Sequence, residues 1–488
     1  MDHTPKNRIA PCNRKSIDPG GEYVVYWMTA YRRTSWNFSL QRAVEWAETL
    51  KKPLVILEAL RADYKWASDR LHRFVIEGMR DNWLRLKNSK ALYYPYIEMQ
   101  VNAGKGLLSE LAHRACVVVA DDFPCFFLPR MLSAAALQVP VLLEKVDANG
   151  LLPMQEADQA FLRAFDFRRF LQKRILPHLF TPPEPDPVAS LSMRAYPDML
   201  SYLHERWQPA YRFLDDVVSL DLSRLPIDHS VPPAETAGGC ERATATLRTF
   251  LRHSLSEYDV LRNHPDDDAT SGLSPYLHFG QISVHQIFQE VAQHEGWSPD
   301  RLAPQTAGKR SGWWGMSAGA EAFLDELVTW RELGYNMCRF RKDYDAFESL
   351  PEWAKETLEK HTLDTRPYLY SLQQLENAET HDELWNAAQN QLRREGKIHN
   401  YLRMLWGKNI LAWTPSPREA LHVMIHLNNK YALDGRNPNS YTGILWCLGR
   451  YDRPWGPERP IFGKVRYMSS QSTKQKVRVS TFIRKYAR

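Results

Sequence analysis

The hydrophobic periodicity of this chain changes once along its length, and that change limits the fold more than any other feature. Up to about residue 155, short apolar runs alternate with helical stretches. EYVVYWM (22–28) has the look of a buried strand, and RRTSWNFSLQRAVEWAETLKKPLVILEAL (32–60) runs as loop, amphipathic helix and second strand. DRLHRFVIEGMRDNWLRLKNS (69–89) then precedes a strand at ALYYPYI (91–97), and ELAHRACVVVADD (110–122) is a helix end followed by an apolar strand with acids at its carboxyl end. Strands alternating with helices imply a parallel sheet whose two faces are covered. Residues 21–155 are therefore expected to form an open α/β domain, with residues 1–20 disordered. No GxGxxG marks a dinucleotide site in it.

Two breaker-rich stretches follow, TPPEPDPVAS (181–190) and PIDHSVPPAETAGG (226–239), and 156–239 reads as an extended connector. After Gly239 only helical periodicity remains, from ERATATLRTFLRHSLSEYDVL to PREALHVMIHLNNKYAL, so 240–488 is expected to be all-helical. Two domains also suit the length of 488 residues, because single cores stop growing at about 250–300 residues. A hydrophobic fraction of 44% and a charged fraction of 25% are those of an ordinary globular protein. Mean hydropathy is -0.49. No apolar run approaches the ~20 residues that span a bilayer, and MDHTPKNRIAPCNRKS has no apolar signal core, so a soluble cytoplasmic protein is expected.

The six cysteines form no CxxC pair and have no histidine partner at zinc spacing, which predicts reduced thiols and no metal site. Net charge is only +6, yet Arg453 to Arg488 holds ten Lys or Arg against the single acid Glu458. Such asymmetry points to a polyanion partner or to a solvated basic tail. Aromatic residues are abundant, with 16 Trp, 22 Tyr and 19 Phe, and most serve packing.

Four local patterns carry chemistry. Ser271, Gly272 and Ser274 precede a helical stretch and can offer NH groups and hydroxyls to a phosphate, or simply cap a turn. Glu326 and Trp330 are four apart on a helix and project from one face. Asp434 lies in LDGRNPN, a turn-forming Asp-Gly context. Trp406 and Trp413 are seven apart, about 10.5 Å along a helix axis, a spacing that usually means core packing.

Six strings in order decide among these meanings: RNHPDDDATSGLSPYLHFGQIS, ELVTWREL, LWNAAQ, NYLRMLWGKNILAW, YALDGRNPNSYTGILW and ERPIFGKVRYM. In order and spacing they resemble the class II cyclobutane pyrimidine dimer photolyases of the photolyase/cryptochrome family. YVVYWM extends the resemblance more weakly to the N-terminal part, so it covers most of the chain. It implies a carbon–carbon lyase that binds FAD, active as reduced FADH⁻, and repairs pyrimidine dimers in DNA as a monomer away from membranes. By the same resemblance Tyr258, Ser271, Gly272, Leu273, Ser274 and Gln281 contact the flavin diphosphate region, and Arg331 lies near the flavin. Arg403 pairs with Asp434 beside the isoalloxazine, Gly435 and Arg436 complete that contact, and Asn428 sits near flavin N5, with Asn429 as a second candidate.

The resemblance further implies that Glu326, Trp330, Met404 and Trp446 meet the dimer, and that Trp385, Trp406 and Trp413 relay electrons to the flavin. Arg453, Lys464 and Arg466 match the DNA-contacting region, where planar guanidinium forks suit phosphate oxygens. RYDRPW is one residue shorter than the family spacing, and PCFFLPRML and the segment after Asp158 depart from it. A second, antenna chromophore of deazaflavin or folate type is left unassigned. A cryptochrome-like photoreceptor is the alternative; it would use the same flavin and tryptophans without repair.

Overall fold

A computed structural model describes residues 3–215 and 221–487; Met1, Asp2, 216–220 and Arg488 lie outside the described residues. The chain divides into two compact units: Met1–Glu156, Arg174–Leu247 and Leu273–Glu290 form the first, and Ala157–Lys173, Arg248–Gly272 and Val291–Arg488 the second.

The first unit is built on a six-stranded sheet: β1 (Ile9–Pro11), β2 (Tyr23–Met28), β3 (Leu54–Leu60), β4 (Leu92–Ile97), β5 (Ala115–Asp121) and β6 (Leu143–Val146), in the order β1-β6-β5-β2-β3-β4. All pairings are parallel except β1 with β6. Helices α1 (Phe38–Leu50), α2 (Asp69–Leu86), α3 (Leu107–His113) and α4 (Leu128–Gln138) supply the crossovers. Every residue of β2 and β5 is buried, which is why these strands read as unbroken apolar runs rather than alternating ones. The four strands read from the sequence are β2, β3, β4 and β5; β6, with only LEKV, and β1, with only IAP, are too short and too polar to announce themselves.

Two expectations differ from the structure here. Within the stretch expected to be disordered, residues 4–11 are ordered: Thr4 donates through its N–H and its hydroxyl to Glu45 at 2.5 and 2.7 Å, and the buried Arg8 guanidinium donates to the carbonyls of Asp147, Gly150 and Leu151. The connector is not a free tether either. Met199, Leu200, Leu203 and Trp207 join Val25, Trp27, Leu57 and Tyr94 in one core cluster against the sheet, and the Trp207 indole donates to Ala103 O at 2.9 Å. Proline content reports backbone stiffness; it is the apolar side chains of Met199, Leu200, Leu203 and Trp207 that dock this segment.

Strand order reverses between β2 and β5, the place where an open α/β sheet takes a ligand. Asp121, at the end of β5, occupies that point itself: its carboxylate accepts from the N–H groups of Thr29, Ala30 and Tyr31 at 2.7–2.9 Å and from the Tyr26 hydroxyl at 2.9 Å.

The second unit is helical. Its only bridge outside helices among the described residues is Arg459 with Gly463. Helices Arg331–Phe340, Glu383–Glu395, Asn400–Trp413, Pro417–Tyr431 and Pro438–Trp446 pack around one another. No helix among the described residues is long and apolar enough to cross a membrane, and all six cysteines are free thiols.

Candidate active site

Glu326 and Trp330 lie on a π-helical turn, Asp325–Trp330, set between the helices Ala318–Leu324 and Arg331–Phe340. A π turn adds a residue to the helical repeat and is frequent at functional sites. The sequence spacing gave no sign of it, since an α-helix would also place residues four apart on one face. Its start is pinned by a buried pair: Arg168 donates bidentately to Asp325, Nε to Oδ1 at 2.7 Å and Nη2 to Oδ2 at 2.9 Å.

Glu326 accepts from Arg262 Nη1 at 2.7 Å. Arg262 was not singled out from the sequence, although it opens the string RNHPDDD; only the fold brings it to Glu326. Burial lifts the Glu326 carboxyl above the usual carboxylate range; Arg262 opposes this and Asp325 adds to it. The Arg262 guanidinium also lies 5.4 Å from the Tyr258 ring centre, and burial pushes the Tyr258 phenol up to about 12. Arg262 Nε is buried without a hydrogen-bond partner among the described residues.

Trp330 stacks on Trp446, ring centres 4.5 Å apart and planes 18° from parallel. The Trp446 indole N–H is likewise buried and unpartnered among the described residues. Met404, on the helix Asn400–Trp413, has its sulfur 3.9 Å from that of Cys447, the neighbour of Trp446.

Arg403 is the residue just before Met404 on that helix. Its Nη1 donates to Asn428 Oδ1 at 3.3 Å and its Nη2 reaches both Asp434 oxygens at 3.4 Å. Asn428 is turned toward this cluster and donates to Ser440 Oγ at 2.7 Å. Asn429 is instead tied to Tyr441 OH and to the Arg436 N–H, so of the two asparagines Asn428 is the one beside Arg403. Gly435 lets this turn close: a Cβ there would come within 2.9 Å of Asn428 O.

Three residues expected at the cofactor make hydrogen bonds within the protein. Arg436 turns inward and its guanidinium donates to the carbonyls of Asn429, Ala432 and Leu433, closing the end of the helix Pro417–Tyr431. Gln281 is buried in the first unit, accepting from Gly239 N at 2.8 Å and donating to Phe74 O at 3.1 Å. Arg331 donates to the Tyr335 hydroxyl at 3.1 Å and lies 4.5 Å from its ring centre. Ser271 and Gly272 end the loop that follows His264, Gly272 at φ +65°, and Leu273 is the N-cap position of the short helix Ser274–His278.

Trp385 joins the other two relay candidates. Its indole donates to Trp406 O at 3.0 Å, and its ring lies 5.5 Å from that of Trp413. Trp406 in turn donates to Gln389 Oε1 at 2.9 Å. All three are buried; Trp413, the most exposed of them at 6%, touches Tyr370 and His381, at 5.6 and 5.2 Å.

Arg453, Lys464 and Arg466 are exposed. Arg453 and Arg466 flank the exposed Trp455, their guanidinium carbons 4.8 and 5.3 Å from its ring. Trp455 was not singled out, and its position between two arginines becomes visible only in the folded loop. Three further basic residues of the tail are paired: Lys474 with Glu383, Arg478 with Asp267 and Lys485 with Glu395. Charge counting therefore overstated the open cationic surface.

An α/β unit followed by a helical unit with this carboxylate, tryptophan pair and arginine cluster has the fold of the photolyases. The crystal structure of a bacterial class III photolyase from Agrobacterium tumefaciens matches with a TM-score of 0.66 at 16% identity, over 97% of this chain and 87% of that one. No protein-family model matches the chain. Proteins named deoxyribodipyrimidine photo-lyase match nearly end to end: from Methanothermobacter thermautotrophicus at 35% identity over 98% of this chain and 97% of the relative, from Potorous tridactylus at 34% over 94% and 80%, and from Arabidopsis thaliana at 32% over 94% and 88%. The chain belongs to the deoxyribodipyrimidine photo-lyase family.

Proposed function

We propose that this protein is a class II photo-lyase that uses visible light to repair cyclobutane pyrimidine dimers in DNA, with Glu326, Trp330, Met404 and Trp446 receiving the dimer. The observation that carries this reading is the stacked Trp330–Trp446 pair beside Glu326: an aromatic apolar surface next to a half-buried carboxyl suits splayed pyrimidines with polar edges. Enzymes acting on bases within a duplex extrude them, photolyases among them, and a damaged step costs less to unstack. A visible-light repair assay on a dimer-containing oligonucleotide tests it; binding without repair would favour the photoreceptor alternative.

The cluster at Arg403 fits FAD. Its contacts to Asp434 sit at 3.4 Å, the outer edge of hydrogen bonding, so a guanidinium with five donors and a carboxylate retain capacity for the polar edge of an isoalloxazine. Arg403, Asn428 and Asp434 would hold the ring, and Tyr258, Ser271, Gly272, Leu273 and Ser274 the diphosphate region. Reduced FAD held there would supply light-driven one-electron chemistry with no net redox change. Trp330 and Trp446 pack on the dimer and keep water from it. Glu326, held by Arg262, hydrogen-bonds a base edge and steadies the charge that develops there, an effect that is strong where water is excluded.

Glu326→Ala is expected to fold and to keep FAD, but to lower repair per absorbed photon by up to about 10²-fold, the scale of one lost preorganised hydrogen bond. Glu326→Gln retains a donor and should keep most of it. Because the carboxyl is raised, it keeps its proton to higher pH than a free glutamate. Repair that depends on that proton falls as pH rises through the raised value, and Glu326→Gln flattens this limb. Equal repair yields and pH profiles in wild type and both variants would remove Glu326 from the chemistry.

Binding to undamaged DNA should weaken steeply with salt as phosphate contacts release counterions. Arg466→Ala is expected to reduce the salt slope by about one, as one lost phosphate contact does. Fluorescence anisotropy between 50 and 200 mM salt, on the order of the range where such contacts dominate, would show an unchanged slope if Arg466 is only solvated.

A further inference from the structure

The acidic run Asp266-Asp267-Asp268, which precedes Ser271 and Gly272, is the docking point of the segment Val477–Tyr486. Asp266 accepts from the N–H groups of Phe482 at 2.7 Å and Thr481 at 3.2 Å, in the first turn of the helix Ser480–Lys485. Asp266 N donates to Arg478 O at 3.1 Å, and Arg478 N to His264 Nδ1 at 3.2 Å. The Arg478 guanidinium reaches Asp267 Oδ2 twice, from Nε at 2.9 Å and Nη2 at 2.6 Å. Asp268 pairs with Lys397 at 3.7 Å.

The same segment is fastened on its other side to the helix Glu383–Glu395. Asn390 donates to Tyr486 O at 3.0 Å, the Tyr486 hydroxyl donates to Glu395 at 2.6 Å, and Arg394 donates to Ala487 O at 2.9 Å. Phe482 and Tyr486, each 4% exposed, close the apolar seam between these attachments, with ring centres 4.7 Å apart. Successive residues of one short loop thus engage the chain terminus through caps, backbone bonds and a two-pronged ion pair. A solvated basic tail would make none of these.

We infer that Val477–Tyr486 is a strap and Arg478 a positioning residue: together they fix the loop His264–Gly272 and so set how long the FAD diphosphate is retained. The inference rests on the reading that Ser271 and Gly272 contact that diphosphate. A loop of this length with no helix of its own is costly to order at the moment of binding. Ordering it beforehand with a part of the chain remote in sequence lowers that cost.

The test compares full-length holoprotein, wild type against Arg478→Ala, Phe482→Ser and the exchanged pair Asp267→Arg with Arg478→Asp. Amide hydrogen exchange over 264–272 and the rate of FAD release, read by the rise in free-flavin fluorescence, are measured together. In Arg478→Ala both should rise about two- to fivefold, the scale of one exposed ion pair. Phe482→Ser, which undocks the strap, should raise both about tenfold or more, since it removes a buried aromatic anchor. The exchanged pair should return both to within about twofold of wild type, as a re-formed ion pair would. Exchange in the helix Asn400–Trp413 should stay unchanged in all three, which a general loss of stability would not allow. Wild-type protein that carries FAD, with loop exchange or FAD release unaltered in Phe482→Ser, overturns the strap alone. A wild-type chain that neither carries nor takes up FAD overturns the flavin reading and this inference with it.

Discussion

Trp406→Phe is expected to abolish light-driven reduction of oxidised flavin by an external thiol while leaving repair by the chemically reduced enzyme nearly intact. Trp385 donates to the Trp406 backbone carbonyl at 3.0 Å and its ring lies 5.5 Å from that of Trp413, so Trp385 touches both of the other residues. Removing Trp406 breaks a relay that runs through all three, whereas repair in pre-reduced enzyme needs only the exchange between flavin and dimer. Phenylalanine keeps an apolar ring but deletes the indole N–H that satisfies Gln389 Oε1, and Gln389 is fully buried. The orphaned amide oxygen costs about 1–3 kcal/mol, in addition to a small cavity. Adding Gln389→Met removes the orphan and should recover part of that loss without restoring photoreduction. Flavin absorbance under blue light, paired with repair by dithionite-reduced protein, reads both effects. Normal photoreduction in Trp406→Phe would show another electron route; lost repair in the pre-reduced variant would make Trp406 a structural residue.

Strands β2 to β5 were legible because parallel strands buried on both faces must be continuous apolar runs, and YVVYWM and ACVVVAD are such runs. The edge pair β1 and β6 was not, because three or four residues paired at a sheet edge need no such pattern. Residues 4–11 owe their order to Glu45 and to carbonyls near residue 150, partners that no local signal announces. The candidate site residues were proposed through their motif, yet the motif did not say which way each side chain turns. Arg436 and Gln281 lie in matching strings and spend their polar atoms on carbonyls and amides of the fold. Asn428 and Asn429 differ by one position on a helix, about 100° of rotation, and only the folded neighbours decide between them. Arg262 and Trp455 illustrate the converse: each acquires a role from a contact across the chain, with Glu326 and with two arginines respectively. The π turn under Glu326 belongs to the same class, since it alters aim without altering spacing.

Arg168→Met is expected to destabilise the helical unit by about 3–5 kcal/mol, because it leaves Asp325 buried without its cation. Both members of that pair are nearly inaccessible, with side-chain exposures of 5% and 11%. The pair lies at the first residue of the π turn, so the damage also reaches Glu326. An uncompensated Asp325 either stays charged, and then raises the Glu326 carboxyl further, or takes up a proton and releases its grip on the turn. In both cases Glu326 and Trp330 lose their fixed aim. The double variant Arg168→Met with Asp325→Leu separates the two consequences. Replacing a buried ion pair by apolar residues of similar size is often neutral for stability, so the double variant should regain most of the lost unfolding free energy. Its repair yield should nevertheless stay below wild type, because no bidentate pair then holds the start of the π turn. Chemical denaturation, with the unfolding midpoint followed by far-ultraviolet circular dichroism, gives the first quantity, and visible-light repair by pre-reduced protein gives the second. Wild-type repair in a double variant of wild-type stability would show that the π turn keeps its geometry without Arg168, and that the ion pair serves the fold alone.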